Sequence, residues 1–261
     1  MPKFSANLGF LWPDRPLLDR IDAAAAAGFK AIELHWPYAT PAGEVRARCE
    51  KNQLVLLGIN TPIGNGEAGD FGLGAQAGRE AEFRETFLQT VDYARQAGAS
   101  SVHVMAGVVA PRHKAKAKKV FIENLRFAAG NAPDLTLLLE PINQRDKPGY
   151  FYSSIGEAAA IIAEVGAPNL KIMFDVYHVG VSEGDVTKRL EKHLADIGHV
   201  QIAAVPSRAE PDEGEIAYNS IFATLDRIGW TGWTGCEYKP RAATDEGLAW
   251  TKALGVSLGS R

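Results

Sequence analysis

The sequence predicts a single (β/α)8 barrel of the TIM-barrel class spanning residues 1–261. Three observations predict it. Short runs rich in leucine and β-branched residues alternate with longer amphipathic segments along the whole chain. A glycine recurs just ahead of the next strand, in "AAAAAGFKAIEL" (23–34), "ARQAGASSVHVM" (94–105), "IAEVGAPNLKIMFD" (162–175), "LADIGHVQIA" (194–203) and "LDRIGWTGWTGCE" (225–237). Each reads as a helix closed by a residue that tolerates the left-handed cap, followed by a strand. Third, 261 residues divide into eight units of about 33, the length of a β-then-α unit in such a barrel. A doubly wound open sheet is the alternative, but no GxGxxG follows the first strand.

The strands are expected in order at 3–9 (KFSANLG), 29–34 (FKAIEL), 53–59 (QLVLLGI), 100–106 (SSVHVMA), 134–140 (DLTLLLE), 170–175 (LKIMFD), 199–203 (HVQIA) and 233–237 (WTGCE), with a helical pattern after each. No low-complexity linker interrupts the alternation, so one domain is expected. The longest irregular piece, 61–78, carries six glycines and reads as either an active-site lid or a mobile loop. It lacks the GK[ST] ending of a phosphate-binding loop.

Composition narrows the function. With 46% apolar residues the chain can bury a large core, and a net charge of -3 argues against nucleic-acid binding and against a polybasic membrane anchor. Small neutral or anionic metabolites remain as partners, and homo-oligomerisation is left open. Cys49 and Cys236 are too few for a disulfide framework and have no zinc-ribbon spacing, which suits a reducing, cytoplasmic setting. The N-terminal stretch has no apolar run of signal-peptide length, and no run of about 18 apolar residues occurs anywhere.

In a (β/α)8 barrel the carboxyl ends of the strands surround one mouth, so polar strand ends are where chemistry is sought. Strand five ends in Glu140, strand six in Asp175, strand seven holds Gln201 and strand eight ends in Glu237, at spacings of 35, 26 and 36 residues. Three carboxylates at one mouth repel and raise one another's pKa unless a cation compensates. An all-oxygen set without cysteine favours a hard divalent ion, Mg2+ or Mn2+. Each residue alone could equally be a strand end satisfied by backbone amides; four together are hard to explain that way.

His178, three residues past Asp175, is a candidate for substrate binding, as is His103 in strand four, with a packed histidine as the alternative. His35 is a weaker candidate, His199 shares the face of Gln201 lower in the barrel with a core role as the alternative, and His113 and His193 read as solvent-facing. Arg208 is the candidate for gripping a substrate carboxylate through its planar two-point donor. The run RHKAKAKK at 112–119 reads as a solvated helix face.

At these residues the chain resembles the hydroxypyruvate isomerase family within the xylose isomerase-like TIM barrels. The likeness runs from FSANLGFLW and EAGDFGLGA through LEPIN and PGYF to FDVYH, GHVQIA and GCEYKP. The resemblance implies a metal held by Glu140, Asp175, Gln201 and Glu237, with Glu140 and Glu237 as the proton-transfer pair. It implies interconversion of hydroxypyruvate and 2-hydroxy-3-oxopropanoate through an enediolate. A 2-oxo-tetronate isomerase or a ketose 3-epimerase would use the same site, and Ala204 in QIAAVP leans towards the oxo-tetronate type. Gly180, Tyr152 and Ser153 depart from the family's usual residues. An endonuclease IV-like phosphodiesterase and a non-catalytic sugar-binding barrel are the remote alternatives.

Overall fold

A computed structural model of the chain describes residues 1–259. Eight strands, β1 (Lys3–Asn7), β2 (Ala31–Glu33), β3 (Val55–Asn60), β4 (Ser101–His103), β5 (Thr136–Leu139), β6 (Leu170–Asp175), β7 (Ile197–Ile202) and β8 (Trp233–Cys236), pair in parallel in chain order and close on themselves. Between and after them run α1 (Leu17–Ala26), α2 (Ala42–Lys51), α3 (Glu80–Ala97), α4 (Lys114–Asn131), α5 (Ile155–Val165), α6 (Val176–Ser182), α7 (Val186–His193), α8 (Tyr218–Arg227), α9 (Thr244–Gly247) and α10 (Trp250–Ala253). The expected (β/α)8 barrel is therefore the fold.

Successive strand residues face opposite sides, and here the pleat sorts chemistry. On β1, Phe4 faces the helices and packs edge-on against Phe222 and Trp250. Its neighbours Ser5 and Asn7 turn inward, where both reach the Glu33 carboxylate. On β7 the inward residues are His199 and Gln201, which line a cavity of about 20 Å3 enclosed by the barrel. The apolar faces, among them Val102, Leu137, Leu139, Ile172, Val200 and Ile202, are buried against the helix layer.

Several expectations need adjusting at the edges. Gly98 and Gly166 cap α3 and α5 in the left-handed conformation, as the pattern predicts. Gly198 does not close a helix. It lies inside β7, where Ile172 pairs with Ile197 and Met173 with His199, so Gly198 is skipped in the ladder. A Cβ there would sit 2.7 Å from Lys171 Cβ, and the missing side chain is what permits the bulge. The sixth unit carries two helices, α6 and α7, rather than one. His193, expected to face solvent, is buried at the end of α7.

The 61–78 stretch is tied down rather than free. Gly74 and Ala75 donate backbone hydrogen bonds to Met105 and Ala106, and Arg79 pairs with Asp70 at 2.6 Å. Gly72 has φ of 117° and lies against the Met105 carbonyl, 2.6 Å from where a Cβ would stand. Cys49 and Cys236 are buried and unbridged. The charged residues of 112–119 are all exposed, as expected. Among the described residues no helix is long and apolar enough to cross a membrane.

Candidate active site

Asp175 is both the last residue of β6 and the N-cap of α6. Its Oδ1 accepts the Tyr177 backbone N–H at 2.8 Å, which fixes the carboxylate and leaves Oδ2 turned into the barrel. Glu140 follows β5 directly, with Pro141 behind it holding extended geometry. One ligand-capable atom each from Glu140, Asp175 and His178 lie within 4.8 Å of one another. Gln201 pairs in register with Asp175 across the β6–β7 ladder. Glu237 gathers four donors: Asn7 Nδ2 at 3.0 Å, His35 Nε2 at 3.1 Å and Gln201 Nε2 at 3.3 Å on Oε1, and Arg208 Nη2 at 2.8 Å on Oε2.

Three buried oxygens in this group, Glu140 Oε1, Asp175 Oδ2 and Gln201 Oε1, have no hydrogen-bond partner. Buried acceptors are normally satisfied, and leaving one bare costs about 1–3 kcal/mol. An oxygen-rich, partnerless set of this kind fits a hard divalent cation. His178 is oriented differently. Its Nδ1 accepts the Asn143 backbone N–H at 3.3 Å, so its proton sits on Nε2, 3.4 Å from Glu140 Oε1 and 3.6 Å from Asp175 Oδ2.

The electrostatics separate the two glutamates. Burial, then the charges of Glu237 and Asp175, pushes the Glu140 carboxyl well above the ordinary range. Burial and Glu237 push Asp175 up to about 7. Glu237 is buried too, which acts upward, but the His35 hydrogen bond and the Arg208 charge outweigh it and hold the group at about 2. Burial takes His178 down to about 3 and His103 to about 4, so both are neutral imidazoles near neutral pH.

The family described as xylose isomerase-like TIM barrel matches residues 21–254. The chain belongs to that family. A 2-oxo-tetronate isomerase of Cupriavidus necator is 47% identical to it over 97% of this chain and 98% of that protein. A human protein named "Putative hydroxypyruvate isomerase" is 45% identical over 96% of this chain and 94% of its own length. A solved structure described as an AP endonuclease, family 2, from Brucella melitensis superposes with a TM-score of 0.94 at 39% identity, covering 97% of this chain and 99% of that one.

In this xylose isomerase-like barrel the mouth opens into a cavity of about 520 Å3, whose lining includes Glu140, Glu237, His103, His178 and Arg208. Asp175 and Gln201 lie behind that surface; Gln201 lines the enclosed cavity below it. His103 Nδ1 lies 3.5 Å from Glu140 Oε2. Arg208 is held between the rings of Phe10 and Tyr177, 4.9 Å from each, and donates to Asp146 Oδ2 at 3.2 Å as well as to Glu237. Its backbone adopts a φ of 58°, fixed by its N–H on the Ala204 carbonyl and its own carbonyl on the Lys239 N–H.

Sequence reasoning passed over Glu33 and Asn7 because the expected strands run on to Leu34 and Gly9, whereas β2 ends at Glu33 and β1 at Asn7. It also passed over the rim residues Phe10, Phe71, Lys147 and Lys239, which come from loops and carry no periodic signal. Gly180 has a steric reason: a Cβ there would lie 2.8 Å from Ile216 Cδ1 and 2.9 Å from Val205 Cγ2.

Proposed function

We propose that this chain is an isomerase of short hydroxy-oxo acids that moves a proton between adjacent carbons, interconverting hydroxypyruvate and 2-hydroxy-3-oxopropanoate. The observation that carries the reading is the set of three buried, partnerless oxygens beside two glutamates of opposite proton affinity. Glu140, Asp175, Gln201 and Glu237 would hold one divalent ion, Mg2+ or Mn2+. When bound, that ion supplies the positive charge that lets the carboxylates ionise together and polarises the substrate's carbonyl.

The residues divide the remaining work. Two carboxylates whose environments drive their pKa values apart take different roles. Glu140, ionised once the cation is present, takes the proton from C3 of hydroxypyruvate through its carboxylate oxygen not committed to the ion. The C3–H bond pair becomes the C2=C3 bond of an enediolate, and a proton delivered to C2 with transfer of the hydroxyl proton from O3 to O2 completes the isomerisation. Glu237 is the second member of the pair. It rests ionised under Arg208 and His35, so it delivers a proton to C2 only after taking one up, which requires one of its four donors to yield; each turnover then leaves Glu140 protonated and Glu237 ionised, and proton exchange with water resets the pair. His178 Nε2–H is placed to donate to substrate oxygen. Lys147 rests over the Phe71 ring at 4.1 Å and Lys239 lies 5.9 Å from the Phe10 ring; with Arg208 paired to Asp146 and Glu237, these two ammonium groups are the rim charges that suit an acid better than a neutral sugar.

A 2-oxo-tetronate is the second reading. A cavity of about 520 Å3 accommodates four carbons as readily as three, and the Cupriavidus necator relative is named for that substrate. Phosphodiester cleavage is disfavoured: among the described residues a single group of three metal-capable side chains occurs, and its members include two carboxylates rather than a cluster of histidines.

The test is isomerisation of hydroxypyruvate and of 2-oxo-tetronates in deuterated water, with Mg2+ or Mn2+ and after chelation. We expect deuterium at carbon in the product, loss of turnover on chelation, and a fall of about 100- to 10,000-fold in kcat for Glu140→Gln. Strict retention of the substrate hydrogen would establish a hydride shift instead. Activity that survives thorough chelation would remove the ion from the reaction.

A further inference from the structure

We propose that Glu33 is a positioning residue that decides which end of the Gln201 amide faces the active site. The inference rests on the cation reading above and extends it to a residue that touches neither the open cavity nor the substrate. A glutamine amide has two ends of nearly equal size, and only the oxygen can serve a cation; the NH2 end would repel it. Nothing in the covalent structure of Gln201 favours one orientation.

The surroundings do. Gln201 Nε2 donates to Glu33 Oε2 at 2.9 Å and, more weakly, to Glu237 Oε1 at 3.3 Å. The Glu33 contact is the shorter of the two, so Glu33 is the stronger anchor. With its nitrogen committed to a carboxylate, Gln201 turns Oε1 the other way, where it is buried without a partner.

Glu33 is itself immobilised for this task. Ser5 Oγ donates to Oε1 at 2.7 Å and Asn7 Nδ2 donates to Oε2 at 3.5 Å, while the His199 ring stands 3.0 Å from the same oxygen without hydrogen-bonding to it. The β2–β3 register shifts at Ile32/Glu33, a local irregularity that re-aims a side chain. Gly235 leaves the space: a Cβ there would stand 2.1 Å from Glu33 Oε1. A carboxylate from β2 thus reaches past Gly235 of β8 to an amide on β7.

The test is Mn2+ uptake by the purified full-length chain, followed by the electron paramagnetic resonance signal of free Mn2+, with folding checked by circular dichroism. Glu33→Gln removes the one-way acceptor, and we expect Mn2+ affinity to fall about 10- to 100-fold, the usual loss when a group bracing a ligand is removed. Glu33→Asp, which keeps the charge but falls one methylene short of Gln201, should lose affinity in the same direction. The double variant Glu33→Gln with Gln201→Glu should recover to within about threefold of wild type, because a carboxylate has no wrong end and the new amide can donate to it. A purely structural role for Glu33 predicts no recovery. Unchanged affinity in folded E33Q or E33D, or a double variant as weak as E33Q, overturns the inference. A wild-type chain that takes up no Mn2+ overturns the cation reading first, and this inference with it.

Discussion

Asp175 shows how much one residue can be asked to do. Its Oδ1 caps a helix and its Oδ2 faces two other acids, so burial and Glu237 hold its carboxyl at about 7 instead of 3.8. A carboxyl with a raised folded pKa binds its proton more tightly in the folded state. Its contribution to stability is complete below pH 3.8 and is lost as pH rises towards 7. The metal-free protein should therefore lose Tm as pH climbs from about 4 to about 7, and Asp175→Asn, which keeps the cap, should flatten that slope. A thermal-unfolding series in chelator for both proteins checks it; parallel slopes would contradict the assignment. Arg208 is a second residue with two duties. Because its guanidinium sits on Glu237, Arg208→Ala should lower kcat as well as raise KM, and steady-state kinetics that show a KM change alone would mean the Glu237 contact does not matter to chemistry.

At the scale of elements, helix ends and strand pleats carry most of the order. Ser154 and Glu157 form a reciprocal capping box at the start of α5, away from the chemistry. Ser154→Ala should destabilise the protein by about 1 kcal/mol with kcat unchanged, read by chemical denaturation alongside an activity assay. Much at this scale was legible: the glycines that close α3 and α5 stand where the pattern places them, and β6 matches at both ends. Gly198 was misread because a bulge glycine and a helix-closing glycine look alike in sequence. What separates them is Lys171 on the adjacent strand, a contact with no local trace. The 61–78 stretch was equally opaque, since its anchors at Met105 and Ala106 are some 30 residues away along the chain.

For the whole molecule, the decisive event is closure of β1 onto β8, where Phe4 pairs with Thr234 and its ring packs on Phe222 and Trp250. Phe4→Ala removes a fully buried ring at this seam and should cost about 3–5 kcal/mol, measured as a lower urea midpoint. The same closure brings Asn7 within 3.0 Å of Glu237, two residues separated by nearly the whole chain. The electrostatics of the candidate site depend on that closure as much as on the carboxylates themselves.

The sequence by itself determined the eight-fold alternation and the acids and amide at the ends of strands five to eight, because hydrophobic period and strand-end polarity are local properties. Tertiary structure alone decided how those groups treat one another. It raised Glu140 and lowered Glu237 by giving one burial among acids and the other His35 and Arg208, and it brought Glu33 against Gln201 over a glycine. The reason is physical: a pKa and the orientation of an amide are set by atoms within a few ångströms, and in a closed barrel those atoms come from strands far apart in the chain.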